Sequence, residues 1–299
     1  MKNILIKLLK ILAKIPYIPF NLKLMIAIKD RRLRDIIPLN KNLIYDKYLG
    51  DIKVNISTNY PIEKEMLTGR YDPETSFVLR KFLNCNCIVI DVGANVGALT
   101  LLMAQICDQG GVIAIEPGPL TSSRLMDNLM LNPKLQALVT VCKVGVSDKK
   151  GKLFWSEDPE NLGNASLWEK SGILVEVETL DNIIEENRIK RLDFIKIDVE
   201  GMEYEVIKGG LDSIRKYHPT IYYETLEPFR DFRGFDLYKK IFDLLSSEGY
   251  KHFYVNKSGA FIEQKEMAKL YASNALAIHI SNPQYSILKQ EELNMTSPR

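Results

Sequence analysis

Residues 87–97 read Cys87-Ile88-Val89-Ile90-Asp91-Val92-Gly93-Ala94-Asn95-Val96-Gly97. An apolar run that closes on a glycine turn predicts a strand buried on both faces, feeding a helix. Strand, turn and helix N-terminus together make a nucleotide-binding device, and most such turns receive phosphate. Asp91 stands at the strand tip, where a carboxylate would repel one. Two unit charges ~4 Å apart interact by about 4 kcal/mol at an effective dielectric near 20. The same carboxylate attracts a cationic ligand with an amino group and no phosphate. Gly93 and Gly97 let the backbone turn and pass close to that ligand. Asn95 tolerates a left-handed conformation and offers an amide. A purely structural turn is the competing reading, because one short glycine turn is a weak signal.

The next apolar strand, Val112 to Ile115, ends in Glu116-Pro117. A carboxylate about 20 residues beyond the glycine turn is placed to accept both ribose hydroxyls. The dinucleotide fingerprint Gly-x-Gly-x-x-Gly is not met, since its positions hold Gly93, Asn95 and Ala98. The expected ligand is therefore a cationic nucleoside without a diphosphate, and S-adenosylmethionine fits that description. Gly145-Val146-Ser147-Asp148 follows the third strand and is expected against the adenine, with Ser147 as the candidate contact.

Two further strand ends carry acids. Ile197-Asp198-Val199-Glu200-Gly201-Met202-Glu203 closes the fourth strand and opens a helix, and Glu224 closes the fifth. Acids at a helix N-terminus also stabilise its macrodipole, which is the plain reading of Glu200 and Glu203. Asp198 and Glu224 end strands that should be buried, so they ask for more. Converging carboxylates here could act as general base, hold an acceptor hydroxyl, or hold a divalent cation. Asp198, Glu200 and Glu224 are the candidate catalytic residues. No residue is assigned to a metal.

Strands alternate with helices along the body. The pattern predicts strands at 52–58, 87–92, 112–115, 138–144, 193–198, 219–224, 250–255 and 275–280. It predicts helices from Pro73 to about 83, through about 106, at 119–131, at 202–208 and at 236–247. Asp72 is read as the N-cap of the first and Asp181 as the cap of a short helix. Residues 151–177 form a β excursion around a polar loop, with Trp155 and Trp168 as candidate walls of an acceptor pocket. This alternation predicts a mostly parallel α/β sheet with right-handed crossovers and one antiparallel member at the edge.

The 299 residues are 46% apolar and 26% charged, ordinary for a globular protein. The formal net charge is +2. Nine Lys/Arg against Asp30 and Asp35 make residues 1–35 +7, which leaves −5 for the rest. An acidic body argues against a nucleic-acid binder. Residues 2–15 read as an amphipathic helix too interrupted by lysine to span a membrane, and no signal-peptide cleavage site follows it. Peripheral contact of residues 1–35 with an anionic membrane face competes with docking on protein. Cys85, Cys87, Cys107 and Cys142 lack zinc spacing and read as small hydrophobes. No disulfide framework appears, which suits a reducing, cytoplasmic setting. His218, His252 and His279 are scattered and read as structural, although His252 could approach the site. The expected organisation is a basic extension at 1–45, a catalytic domain at 46–285 and a polar tail at 286–299.

With these pieces assembled, the chain resembles the FkbM-type methyltransferases. The resemblance rests on Asp91–Gly97, Glu116-Pro117, Thr179-Leu180-Asp181 and Ile195-Lys196-Ile197-Asp198-Val199-Glu200-Gly201-Met202-Glu203, followed by Gly209. Tyr71-Asp72-Pro73-Glu74-Thr75 and Gly163–Ser166 also match, with Asp72 where the family usually has Glu. It implies a Rossmann-like class I methyltransferase sheet with an antiparallel last strand, S-adenosylmethionine as donor, and O-methylation of a hydroxyl on a sugar or natural product. Carried over, Asp91, Gly93, Asn95, Gly97 and Glu116 become donor contacts. Asp198, Glu200 and Glu203 become an acidic cluster near the acceptor. A nicotinamide-dependent oxidoreductase and a non-catalytic, membrane-docked relative are the competing classes. Asp91 argues against the first, and intact Asp91 and Glu116 argue against the second.

Overall fold

The computed structural model describes residues 37, 40–69, 71–156, 172–225, 236–256, 258–265 and 274–296. The N-terminal helix expected at 2–15, the basic segment 1–35 and the polar loop with Trp168 lie outside the described residues. A two-stranded antiparallel ribbon opens the described chain, with β1 (Asn42–Tyr48) against β2 (Ile52–Ser57). Helices α1 (Pro61–Leu67) and α2 (Pro73–Phe82) follow. Asp72 caps α2 as expected, its Oδ1 accepting from the Thr75 N–H at 3.0 Å, with Pro73 in the first turn.

The central unit runs β3 (Ile88–Val92), α3 (Ala98–Ile106), β4 (Gly111–Ile115), α4 (Pro119–Met130), α5 (Pro133–Gln136) and β5 (Val139–Cys142). Next come β6 (Gly145–Val146), β7 (Gly151–Trp155) and β8 (Ile173–Glu178), which form a separate three-stranded sheet ordered β6-β8-β7. The chain continues through α6 (Leu180–Glu186), β9 (Phe194–Ile197), α7 (Glu203–Gly209), α8 (Leu211–Tyr217) and β10 (Thr220–Glu224). It closes with α9 (Asp236–Ser247), β11 (Tyr250–Val255), β12 (Phe261–Gln264), β13 (Asn274–His279) and α10 (Pro283–Thr296).

The main sheet has the order β12-β11-β13-β10-β9-β3-β4-β5. Strands β5, β4, β3, β9 and β10 pair in parallel. The last strand, β13, is antiparallel to both neighbours and is inserted between β10 and β11, while β12 supplies an antiparallel edge. The chain order reverses at β3, whose neighbours are β4 and β9. That is the switch point at which ligands bind beyond the strand ends.

Both faces of the sheet are covered, which is why its strands read as continuous apolar runs. Ile90, Val92, Ile195 and Tyr223 pack with Leu180, Val206, Ile241 and Leu245 on one face. Val89, Phe194, Tyr222 and Leu276 pack with Val78, Leu79, Leu102 and Met103 on the other. Cys87 and Cys107 are buried free thiols in that second layer, in line with a hydrophobic role.

Three expectations need correction. The tail expected at 286–299 begins inside α10, whose Leu288 is buried and whose Glu291 lies 2.7 Å from Lys81. Polar and charged residues dominate that stretch, so the buried Leu288 did not stand out in the sequence. The boundary at 45 likewise falls inside β1. Asp181 does not cap its own helix: Thr179 does, accepting from the Asn182 N–H. The Asp181 carboxylate instead accepts from the Ser213 N–H at 2.8 Å and the Asp212 N–H at 3.3 Å, at the start of α8. Helix α8 itself was not anticipated, because Gly209-Gly210 reads as a stop. Here Gly210 only bends the chain against the Leu180 side chain.

Candidate active site

The turn after β3 is held from three sides. Gly93 has φ +80, and a Cβ built there would lie 1.8 Å from the Asp198 carbonyl oxygen. Gly97 has φ +85, and a Cβ there would meet Leu125 Cδ1 at 2.4 Å. Asn95 is left-handed, as expected, at φ 51. Beneath the turn, the buried Asn128 donates to the Val96 carbonyl at 2.8 Å and accepts from the Asn55 N–H at 2.7 Å. Gly93→Ala is expected to lower the melting temperature, since both space and φ oppose a methyl there. Thermal unfolding checks it, and a wild-type melting temperature would show that the two strand tips can separate at no cost.

A cleft of about 760 Å³, counted to its open mouth, lies over the strand ends. Gly93, Asn95, Glu116, Pro117, Val144, Gly145 and Val146 line it together with Asp198, Glu200 and Glu224, and Tyr71, Trp155 and Ile62 add apolar and aromatic walls. Sequence thus located the glycine turn, Glu116, the acid cluster and Trp155. Ile62 and Tyr71 arrive from α1 and the segment before α2, and only Tyr71 had a sequence signal.

Glu116 is nearly fully buried and organises the turn. Its Oε2 accepts from the Asn95 N–H at 2.8 Å, and its Oε1 accepts from the Gly118 N–H at 2.9 Å and Thr121 Oγ1 at 2.7 Å. Asp91 is placed differently from expectation. It is 0% exposed and is not a lining residue. Its Oδ2 accepts from Thr100 Oγ1 at 2.6 Å, and its Oδ1 lies 3.4 Å from Lys196 Nζ. Burial raises its carboxyl above the usual range, with Lys196 and Thr100 acting against that. The carboxyl groups that line the cleft are instead Glu116, Asp198, Glu200 and Glu224. Gly97 and Ser147 also lie behind the lining. The Ser147 N–H donates to the Glu178 carbonyl at 3.0 Å. His252 is likewise outside the cleft, buried against Phe242 with its Nδ1 3.1 Å from Tyr223 Oη.

Oxygens of Asp198, Glu200 and Glu224 lie within 4.8 Å of one another. Crowded acids retain protons. Burial first, then the charges of Asp198 and Glu203, pushes Glu200 up to about 8. Burial, then Asp198 and Glu200, pushes Glu224 up to about 11. Glu224 Oε2 is buried without a hydrogen-bond partner among the described residues. Glu200 adopts φ 55, a conformation rare outside glycine. Glu203 holds it there: its Oε1 accepts from the Val199 N–H at 3.2 Å and the Gly201 N–H at 3.1 Å. Glu203 is fully buried and shapes the acidic turn from behind the lining.

Burial pushes Glu203 up to about 7 from an ordinary 4.5. A carboxyl whose folded value is raised binds more protons folded than unfolded, so its contribution to stability falls as pH rises between those two values. Glu203→Gln keeps the acceptor oxygen and removes the titration. Relative to wild type, it is expected to gain stability steadily from pH 5 to pH 7. Urea midpoints across that interval test this, and a constant difference would show that Glu203 does not titrate there.

Residues 91–252 match the model of the methyltransferase FkbM domain. The chain belongs to the FkbM methyltransferase family. Among curated relatives, it is 28% identical over 179 residues to Methyltransferase sdnD of Sordaria araneosa, covering 49% of this chain and 69% of that one. It is 27% identical over 136 residues to Hexuronic acid methyltransferase AglP of Haloferax volcanii, 45% of this chain and 54% of that one. It is 24% identical over 149 residues to 2-O-methyltransferase NoeI of Sinorhizobium fredii, 43% of this chain and 59% of that one. The FkbM domain thus contains both the glycine turn and the acid cluster. Residues before 91, which supply Ile62 and Tyr71, lie outside the matched span.

Proposed function

We propose that this FkbM domain transfers a methyl group from S-adenosylmethionine to a hydroxyl, most readily one on a sugar. One observation carries the reading. The cleft at the switch point pairs a glycine turn and Glu116 with a carboxylate cluster, and no Lys, Arg or His lines it among the described residues. A diphosphate would meet acidic side chains and no cationic one in such a lining, whereas a sulfonium and an amino group suit it. The donor would supply an electrophilic methyl carbon. Gly93 gives the ligand room, Asn95 offers an amide, and Glu116 offers acceptor oxygens for ribose hydroxyls. Alignment of donor and acceptor can account for roughly 7–11 kcal/mol of the barrier. Asp198 or Glu200 would take the hydroxyl proton as the oxygen attacks, and Trp155 and Tyr71 would hold the acceptor ring. Relatives named as a hexuronic acid methyltransferase and a 2-O-methyltransferase support a sugar acceptor. No divalent cation is assigned to the cluster.

Calorimetry with S-adenosylhomocysteine and with NAD tests the donor half. Saturable heat with the former and none with the latter is expected, and the opposite pattern would replace this reading with an oxidoreductase. The proposal includes a cytoplasmic setting, with residues 1–35 contacting anionic lipid. Among the described residues no helix is long and apolar enough to cross a membrane. Sedimentation with phosphatidylserine vesicles tests the lipid contact: the full chain should pellet and a chain starting at residue 37 should not.

A further inference from the structure

Lys196 is a cation in the middle of a core strand. It is 5% exposed, between the fully buried Ile195 and Ile197. An ammonium is rarely buried unless paired. Strand register sets its surroundings, since Lys196 is the parallel partner of Asp91 on one side and of Tyr222 on the other. Its Nζ lies 3.4 Å from Asp91 Oδ1 and 3.3 Å from Asp198 Oδ2, and it donates to the Gly93 carbonyl at 3.1 Å. One ammonium therefore touches the glycine turn, the acid beneath it and the first acid of the cluster. The titratable groups facing it are Asp91 from β3, Asp198 from its own strand end, Glu200 from the turn beyond, and the Tyr71 phenol. Lys196 does not line the cleft. It can act only through the groups it touches.

We propose that Lys196 is a positioning residue for methyl transfer, clamping the Gly93 turn to the Asp198 carboxylate so that the donor and acceptor halves of the cleft keep one geometry. The role rests on reading this cleft as the methyl-transfer site. It explains why a lysine stands where an aliphatic side chain would fill the core more simply. It also explains how Asp91 shapes the cleft without lining it.

The test uses the full chain as wild type, Lys196→Met, Lys196→Arg, Asp91→Asn and the double variant Lys196→Met with Asp91→Asn. Each is titrated with S-adenosylhomocysteine, and unfolded in urea, at pH 6.5 and pH 8.5. Lys196→Met is expected to weaken binding by about tenfold or more at pH 8.5, within the range of couplings inside one ion-pair network. The loss shrinks at pH 6.5, because the uncompensated carboxylates then take up protons. Lys196→Arg recovers most of the affinity. The double variant is less impaired than the two single losses combined, since one surplus charge is gone. A lysine that merely fills space predicts the reverse on every count: equal losses at both pH values, no recovery with arginine, and additive effects. That pattern would overturn the proposal. Absence of heat with the wild type would instead remove the donor reading, and the urea data would then decide the clamp. Coupled, pH-dependent midpoints would keep it, and additive, pH-independent ones would end it.

Discussion

Asp91→Ala is expected to remove measurable S-adenosylhomocysteine binding. The side chain is fully buried, receives a 2.6 Å hydrogen bond from Thr100 Oγ1 and sits 3.4 Å from Lys196 Nζ. Truncation leaves a hydroxyl without its acceptor and a buried ammonium with one carboxylate fewer. Removing one partner of a buried ion pair costs about 3–5 kcal/mol. Part of that cost falls on the turn, because the same ammonium holds the Gly93 carbonyl. Asp91→Asn keeps an acceptor for Thr100 and loses only the charge, so it should bind weakly but measurably. Calorimetry on samples shown by circular dichroism to be folded separates lost binding from lost structure. Equal affinity in wild type and Asp91→Ala would take Asp91 out of the donor site altogether.

Glu200→Gln is expected to keep S-adenosylhomocysteine affinity within roughly threefold and to lose turnover by about 10²–10⁴, the span of a general base. Under the proposed reading Glu200 faces the acceptor rather than the donor, which gives the first half of that expectation. Its protonation gives the second. Burial and the neighbouring acids hold its proton up to about 8. A base works only after losing that proton, so activity should rise as pH climbs toward 8, and the limb should vanish in the variant. Asp198→Asn should also reduce turnover, since Asp198 lies within the same cluster and against Lys196. Transfer of labelled methyl from S-adenosylmethionine to a panel of neutral and acidic glycosides reads all three proteins. Full turnover by Glu200→Gln would pass the role of base to Asp198. Full turnover by both variants would end the carboxylate mechanism.

Local patterns and long-range pairings divided what could be read in advance. Periodicity found the core strands, because a strand buried on both faces must be apolar throughout. The tips of those strands then marked the site, as Gly93, Asn95, Glu116, Asp198, Glu200 and Glu224 all line the cleft. The cleft is lined by acids, but Asp91 is not one of them. Asp91 is at the strand tip, but its side chain points under the turn, and its charge is opposed by Lys196. No spacing rule reveals that pairing, because 105 residues separate the two and only strand register joins them.

Sequence by itself determined the alternation of strands and helices, the order in which acids and glycines reach the strand ends, and the membership implied by Asp91–Gly97 and Ile195–Glu203. These follow from rules acting over a few residues: side-chain period, turn conformation and capping. Tertiary structure alone decided which acids line the cleft and which are buried behind it. It also decided that Asp181 caps α8, that α10 docks where a tail was expected, and that Ile62 and Tyr71 wall the cleft. Those outcomes depend on which strands become neighbours and in what register, and that is set by packing of the whole core.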